Sequence, residues 1–395
     1  MSETTSNVVT VSPRGAARVA SGHPWVYANE IREPMKSFEP GQPVEIREAR
    51  RVLGFGFVNP RSLIAARVLS RETANFDASF FAKKLLEADA LRRRFRPGDQ
   101  SYRLCYGESD LIPGLVIDRF DDVFVVQSHA AGIDALVEPI VAGMVAAFKP
   151  RGILLKFDSS SRQLEGLAAK TEVAHGEIPE LLDVKMEGST FRLDLRHGQK
   201  TGFFHDQAGN RAWLGRFTKD ARVLDMFSYV GAWALAAAKG GAKEVLGIDS
   251  SEVACAWAAE NAKASGVGDR VRFEKADAFE RLEALTKARE QYDVVVLDPP
   301  AFVKSRKKLE EGLSGYREVN RRGFALVKPG GILATSSCSR NVPQDAFLGM
   351  LVGAANDARR SARILHMGQQ GPDHPIHLRM PETEYLKCVF LEVGE

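Results

Sequence analysis

The chain has 395 residues, 44% of them hydrophobic and 27% charged, with a formal net charge of +3, so it is longer than one ordinary domain and composed like a packed protein. No apolar run is long enough to span a bilayer, and the opening MSETTSNVVTVSPRG lacks the basic start and apolar stretch of an export signal, so a cytoplasmic location away from membranes is expected. The cysteines, Cys105, Cys255, Cys338 and Cys388, are scattered with no C-x-x-C pair, which argues for a reducing compartment and against a metal site.

Residues 9–68 break into the strand-like pieces PVEIREA, RVLGFGFVN and IAARVL, parted by turns at Pro40-Gly41 and Asn59-Pro60, and predict a small β-rich module. Residues 75–95 carry Phe76, Phe80, Leu85, Leu86 and Leu91 at helical spacing before Pro97-Gly98, and predict a connecting helix. Residues 102–183 mix both signals: LVIDRF and VFVVQSH flank an Asp121-Asp122 turn, GIDALVEPIVAGMVAAF reads as one amphipathic helix, and GILLKFD as a strand, giving an α+β domain. The stretch VKMEGSTFRLDL predicts a hairpin closing on Glu187-Gly188. From Arg222 onward RVLDMFS, EVLGIDS, VRFEKAD, YDVVVLDPP and GGILATSSC alternate with helical segments, the pattern of a parallel sheet covered on both faces, which binds ligands at the carboxyl ends of its strands. Two basic clusters, Arg92, Arg93, Arg94 and Arg96, then Lys304, Arg306, Lys307 and Lys308, are candidate nucleic-acid contacts or plain solvated faces.

The strand ends carry the chemistry. The first runs into Asp225-Met-Phe-Ser228 and Gly231, where a glycine lets backbone approach a ligand at a helix N-terminus. No G-x-G-x-x-G follows, so a nucleoside-like ligand without a pyrophosphate is expected. Asp249 ends the second strand, where it can accept from ribose hydroxyls, and Asp277 ends the third, where it can accept from an adenine amine; each could equally be a helix N-cap. The fourth ends in Asp298-Pro299-Pro300-Ala-Phe302, a stiff loop in which Asp298 can hold the amine edge of a base and Phe302 can stack on it or wall it. The fifth ends in Thr335-Ser-Ser-Cys338, placing a thiol beside the same pocket, whereas the other three cysteines read as packing residues.

Together with QKTGFFHDQ (residues 199–207), the stretches DMFSY, DPPAF and SCS resemble hallmark motifs of the class I methyltransferase fold, and more narrowly of bacterial large-subunit (23S) rRNA cytosine-C5 methyltransferases with an N-terminal PUA domain. The resemblance covers nearly the whole chain. It implies a multidomain protein: a β-rich PUA-like RNA-binding domain (1–72), a connecting helix with an α+β central domain (73–185), and an α/β Rossmann-like class I methyltransferase domain (186–395). It implies S-adenosyl-L-methionine as cofactor, bordered by Lys200, Thr201 and Phe203 and lined by Asp225, Ser228, Gly231, Asp249 and Asp277. Asp298 and Cys338 would act on the base, with Pro299, Pro300 and Phe302 around it. The partner would be 23S rRNA or a large-subunit precursor, and the resemblance tilts toward a homodimer.

Carbon 5 of cytosine is a poor nucleophile, and addition of a thiolate at carbon 6 makes it an enamine carbon, which is why this chemistry needs a cysteine. The better-known RNA cytosine methyltransferases carry a second cysteine after the fourth strand, where this chain reads Pro-Ala-Phe, so release of the enzyme has no assigned residue. Two other readings stay open. One is a methyltransferase acting on an exocyclic base amine, which needs no cysteine; the other is a non-catalytic ribosome assembly factor that kept the fold.

Overall fold

The computed structural model describes residues 7–303 and 305–395, so Lys304 of the second basic cluster lies outside the described residues. The chain forms two compact units, the first made of Met1–Leu181, Asp194–Phe203 and Pro372–Thr383, the second of Leu182–Leu193, Phe204–Gly371 and Glu384–Glu395.

The first unit holds two five-stranded sheets. One contains the expected strands Gln42–Glu48, Arg51–Val58 and Ala66–Ser70, with Val8–Thr10 and Trp25–Val26 at its edges. Its helix Pro13–Ala20 was not expected from the sequence; eight residues give too few turns for a clear apolar period, but Ser12 caps it by accepting from the Gly15 amide at 3.3 Å, and proline opens it. The second sheet is antiparallel except where Val123–Ser128 and Gly152–Phe157 run parallel, joined by the helical segment between them. That segment is two helices, Ala131–Ala135 and Val137–Phe148, rather than one. Pro139 has no amide to bond back to residue 135 and its ring crowds that carbonyl, so the helix restarts at Leu136. Helix Ala78–Phe95 packs along the longer one over a core of Phe81, Leu85, Ile117, Val126 and Leu155.

The first basic cluster is not an open patch. Arg92 is fully buried, pairing with Asp110 at 2.5 and 2.7 Å and donating to the Asp373 carbonyl at 2.8 Å. Arg93 pairs with Asp89, and Arg96 with Asp99 and Asp373. Consecutive residues on a helix point around its whole circumference, and a guanidinium on the inner side must be paired to be buried at all. The cluster is therefore corrected to a structural one, with Arg94 its exposed member without an ion pair among the described residues.

In the second unit, seven strands form one sheet: β1 (Arg222–Met226), β2 (Glu244–Asp249), β3 (Val271–Lys275), β4 (Tyr292–Leu297), β5 (Val327–Ser337), β6 (Ala362–Gly368) and β7 (Lys387–Val393), in the order β3-β2-β1-β4-β5-β7-β6. Strands β1 to β5 are parallel, and Val223, Leu224, Val245, Leu246 and Val294 to Leu297 are buried, as a strand covered on both faces requires. Helices α1 (Ala208–Leu214), α2 (Ala232–Lys239) and α3 (Glu252–Ala264) pack together, as do α4 (Ala278–Lys287), α5 (Leu309–Leu326) and α6 (Gln344–Asp357). The parallel sheet expected from the alternation is extended by β7, which runs antiparallel to β5 and β6 on either side of it, and by β6 at the edge. The chain turns back after β6 and β7 slots between β5 and β6. The hairpin Leu182–Met186/Ser189–Leu193 turns through positive φ at Glu187 and Gly188 and docks on α3, where Asn261 accepts from the Arg192 amide at 2.7 Å. The expected boundary at 185/186 falls inside this hairpin.

Among the described residues no helix is long and apolar enough to cross a membrane.

Candidate active site

The chain leaves β1 toward β2 and β3 on one side and reaches β4 and β5 on the other, which opens a crevice at the carboxyl ends of β1 and β4. Eight of the residues singled out above stand along that edge: Asp225, Ser228, Gly231, Asp249, Asp277, Asp298, Phe302 and Cys338.

On the β1 to β3 side, Asp225 is fully buried; its Oδ2 accepts from the Ala234 amide of α2 at 3.0 Å, while Oδ1 has no hydrogen-bond partner among the described residues. The hydroxyl of Ser228 is likewise buried without one. The loop between them and α2 is held in unusual backbone states, with Phe227 and Tyr229 at φ of 66° and 48°. Gly231 has φ +85°, and a Cβ there would sit 2.8 Å from the Phe273 ring, so only glycine fits. Asp249 accepts from the Tyr229 and Ser251 amides, both at 2.9 Å, one on each oxygen, which leaves each oxygen a second lone pair. Asp277 is exposed and does cap α4: its Oδ1 accepts from the Phe279 and Glu280 amides at 2.9 and 3.0 Å, so its acceptor capacity toward a ligand rests on Oδ2. Orphaned acceptors, a glycine cradle and two strand-end carboxylates fit a nucleoside, whose hydroxyls and amine are donors.

On the β4 and β5 side, Asp298 is held at both oxygens, accepting from Trp233 Nε1 at 2.9 Å and Gln207 Nε2 at 3.0 Å. Gln207 also donates to Ser336 Oγ at 3.1 Å and accepts from Asn210 at 2.6 Å, so β4, β5, α1 and α2 meet at this carboxyl. Pro299 is buried and Pro300 exposed. Phe302 packs with its ring 4.7 Å from that of Tyr316 on α5. Cys338, half-buried, follows β5 directly. Its neighbours are pinned: Ser337 donates to the Tyr316 hydroxyl at 3.1 Å, Ser339 to the Val303 carbonyl at 2.8 Å, and Lys387 Nζ to the carbonyls of Ser339 and Tyr385 at 2.6 and 2.8 Å. The other three cysteines are buried, and burial pushes each thiol up.

Burial holds the Asp225 carboxyl well above the usual carboxylate range, and the negative charge of Asp298 adds to this. Asp298 is raised by burial too, against the bonds from Trp233 and Gln207 that favour its charged form. Burial lowers Lys387 to about 8 although Cys338 and Glu384 pull it upward, and it raises the Tyr316 hydroxyl to about 12.

Sequence reasoning assigned no role to Trp233, Gln207, Asn210 or Lys387. Gln207 stood within a quoted motif, but nothing in one sequence says which strand-end carboxyl its side chain meets. Lys387 lies on the antiparallel strand the alternation did not reveal. Lys200, Thr201 and Phe203 belong to the first unit, where Thr201 is buried with its hydroxyl donating to Asp118 and Phe203 is buried.

Comparison with known proteins agrees with this architecture. Residues 142–375 match the family described as S-adenosylmethionine-dependent methyltransferase, and residues 9–71 match a PUA-like domain. The ribosomal RNA large subunit methyltransferase I of Tolumonas auensis is 37% identical over 92% of this chain and 94% of its own length. The protein of the same name from Aeromonas salmonicida is 38% identical over 92% and 94%. A solved SAM-dependent methyltransferase from Streptococcus mutans shares the fold, with a TM-score of 0.83 at 20% identity, over 98% of this chain and 99% of that one. On the match over more than half its length and on relatives above one-third identity, the chain belongs to the S-adenosylmethionine-dependent methyltransferase family.

Proposed function

We propose that this methyltransferase modifies carbon 5 of a cytosine in large-subunit (23S) ribosomal RNA, with Cys338 as the nucleophile and Asp298 holding the base. The observation that carries the reading is a half-buried thiol at the carboxyl end of β5, one strand from the anchored Asp298, while the other cysteines are packed away. The relatives' names supply the class of RNA.

S-adenosylmethionine, when bound, supplies an electrophilic methyl group. Asp249 would accept from its ribose hydroxyls, Asp277 from its adenine amine, and Asp225, Ser228 and Gly231 would line it; Lys200, Thr201 and Phe203 carry this role on the resemblance alone. In the crevice, Asp298 orients the cytosine through its amine edge and Phe302 walls the ring. The target must leave any helix to reach this depth. Addition of the Cys338 thiolate to carbon 6 places electron density on carbon 5; once carbon 5 is methylated, loss of its proton and elimination of the thiol restore the aromatic base. The exposed Arg306, Lys307 and Lys308, directly after the Asp298 loop, and the PUA-like domain would hold the RNA backbone.

The test is bisulfite sequencing of rRNA from cells with and without the gene, complemented by wild type or Cys338→Ala. One protected cytosine that needs both the gene and Cys338 supports the reading. Methylation on an exocyclic amine that survives Cys338→Ala contradicts it.

A further inference from the structure

We propose that Lys387 is the group that takes the proton from the Cys338 thiol and holds the resulting thiolate. The inference rests on the reading of Cys338 as nucleophile and adds a proton acceptor for its thiol.

Strand β7 brings Lys387 to this place. It is the cross-strand partner of Ser337, the residue before Cys338, and its Nζ is bonded to the carbonyl of Ser339, the residue after it. The residue is only 8% exposed, and its amine is tied to the peptide span that carries the thiol. The second bond, to the Tyr385 carbonyl, fixes the direction of the nitrogen.

The proton count suits the role. A neutral amine has two N–H groups and one lone pair, and the two carbonyls occupy the two N–H groups. The lone pair is then the free valence. When the S–H bond breaks, the electron pair stays on sulfur and a third N–H bond forms on Lys387. The ammonium so made has three donors for three acceptors: two carbonyls and the thiolate. Burial supports this by keeping the amine far less basic than a surface lysine, while the charge of Cys338 acts on it in the opposite sense. The other titratable groups bearing on the neighbourhood are Glu384 beside Lys387, Tyr316 from α5 and Asp298 at the end of β4. Tyr316, raised to about 12, stays protonated through the working range.

The experiment is the pH dependence of iodoacetamide alkylation at Cys338 in the full chain, followed by peptide mass, with S-adenosylmethionine affinity measured on the same samples. Wild type should show an alkylation midpoint below the free-thiol value of about 8.5, and Lys387→Gln should raise it toward that value, with roughly tenfold or greater slowing at pH 7. Unchanged cofactor affinity shows that the variant is folded. A variant midpoint equal to wild type overturns the role of Lys387, as does a wild-type midpoint at or above about 8.5, which decides the matter even if Lys387→Gln fails to fold. Neither result touches the covalent reading, which fails separately if Cys338→Ala still methylates RNA.

Discussion

Glu165 in the first unit and Asp225 in the second are both carboxyls removed from water, and the chain treats them in opposite ways. Burial pushes Glu165 up, but the charge and hydrogen bonds of Arg67, with further bonds from Ser62 and Asn59, bring it below the ordinary carboxylate range. Asp225 has one backbone amide for a partner, a second oxygen without one among the described residues, and Asp298 and Asp249 as negatively charged neighbours. Arg211, which bears on Asp225 and Asp298 electrostatically, is bonded to Glu187. A buried carboxyl given its own cation is part of the scaffold. One left short of partners at a strand end is the kind that the proposed function gives to a ligand.

The largest effect should come from breaking the scaffold pair. Arg67→Met strands Glu165 without its cation and should cost about 3–5 kcal/mol of stability by chemical denaturation, the range for an orphaned buried charge. A loss under 1 kcal/mol would place Glu165 with the available carboxyls instead. On the other side, Asp249→Ala should leave folding intact and weaken S-adenosylmethionine binding by about 1.5–3 kcal/mol in calorimetry, the scale of a charge-assisted hydrogen bond. Unaltered affinity removes Asp249 from the cofactor site.

Asp225→Asn sharpens the contrast through pH. A carboxyl raised in the folded state binds its proton more tightly folded than unfolded, so its contribution to stability is complete below the unfolded value of about 3.9 and declines as pH climbs through the folded one. The asparagine variant can still accept from the Ala234 amide and loses that decline, so at neutral pH it should be at least as stable as wild type by chemical denaturation. A variant clearly less stable than wild type at neutral pH would show that the carboxylate is paired after all. The smallest effect concerns the surface. Replacing Lys307 and Lys308 by alanine should flatten the salt dependence of RNA affinity by roughly 0.7 for each phosphate these lysines neutralise, the single-strand value, whereas Arg92→Ala should act through stability. An unchanged slope makes the loop a solvated face.

Legibility in the sequence followed the range of the interactions. The five parallel strands could be read because the alternation of strand and helical segments, with an acid or a cysteine at or near each strand end, is a local pattern. The helix at Pro13–Ala20 was too short to show a period, and the break at Leu136 followed from a proline whose effect falls four residues back. Pairings across the chain stayed hidden. Arg92 reads as one of a surface run until Asp110 and Asp373 are seen around it, and Gln207, 91 positions from Asp298, has no local signature at all. The antiparallel β7 was hidden for the same reason, and with it the lysine paired with Ser337.

A covalent bond between Cys338 and the base can be trapped with 5-fluorocytosine at the target position. Fluorine cannot leave carbon 5 as a proton does, so the reaction should stop after methylation and before elimination of the thiol. A denaturation-resistant protein–RNA adduct should form that requires S-adenosylmethionine, disappears in Cys338→Ala, and persists in Cys255→Ala and Cys388→Ala. An active enzyme that methylates this RNA without ever becoming trapped, or a Cys338→Ala variant that still methylates it, contradicts the account and moves the reaction to an exocyclic amine.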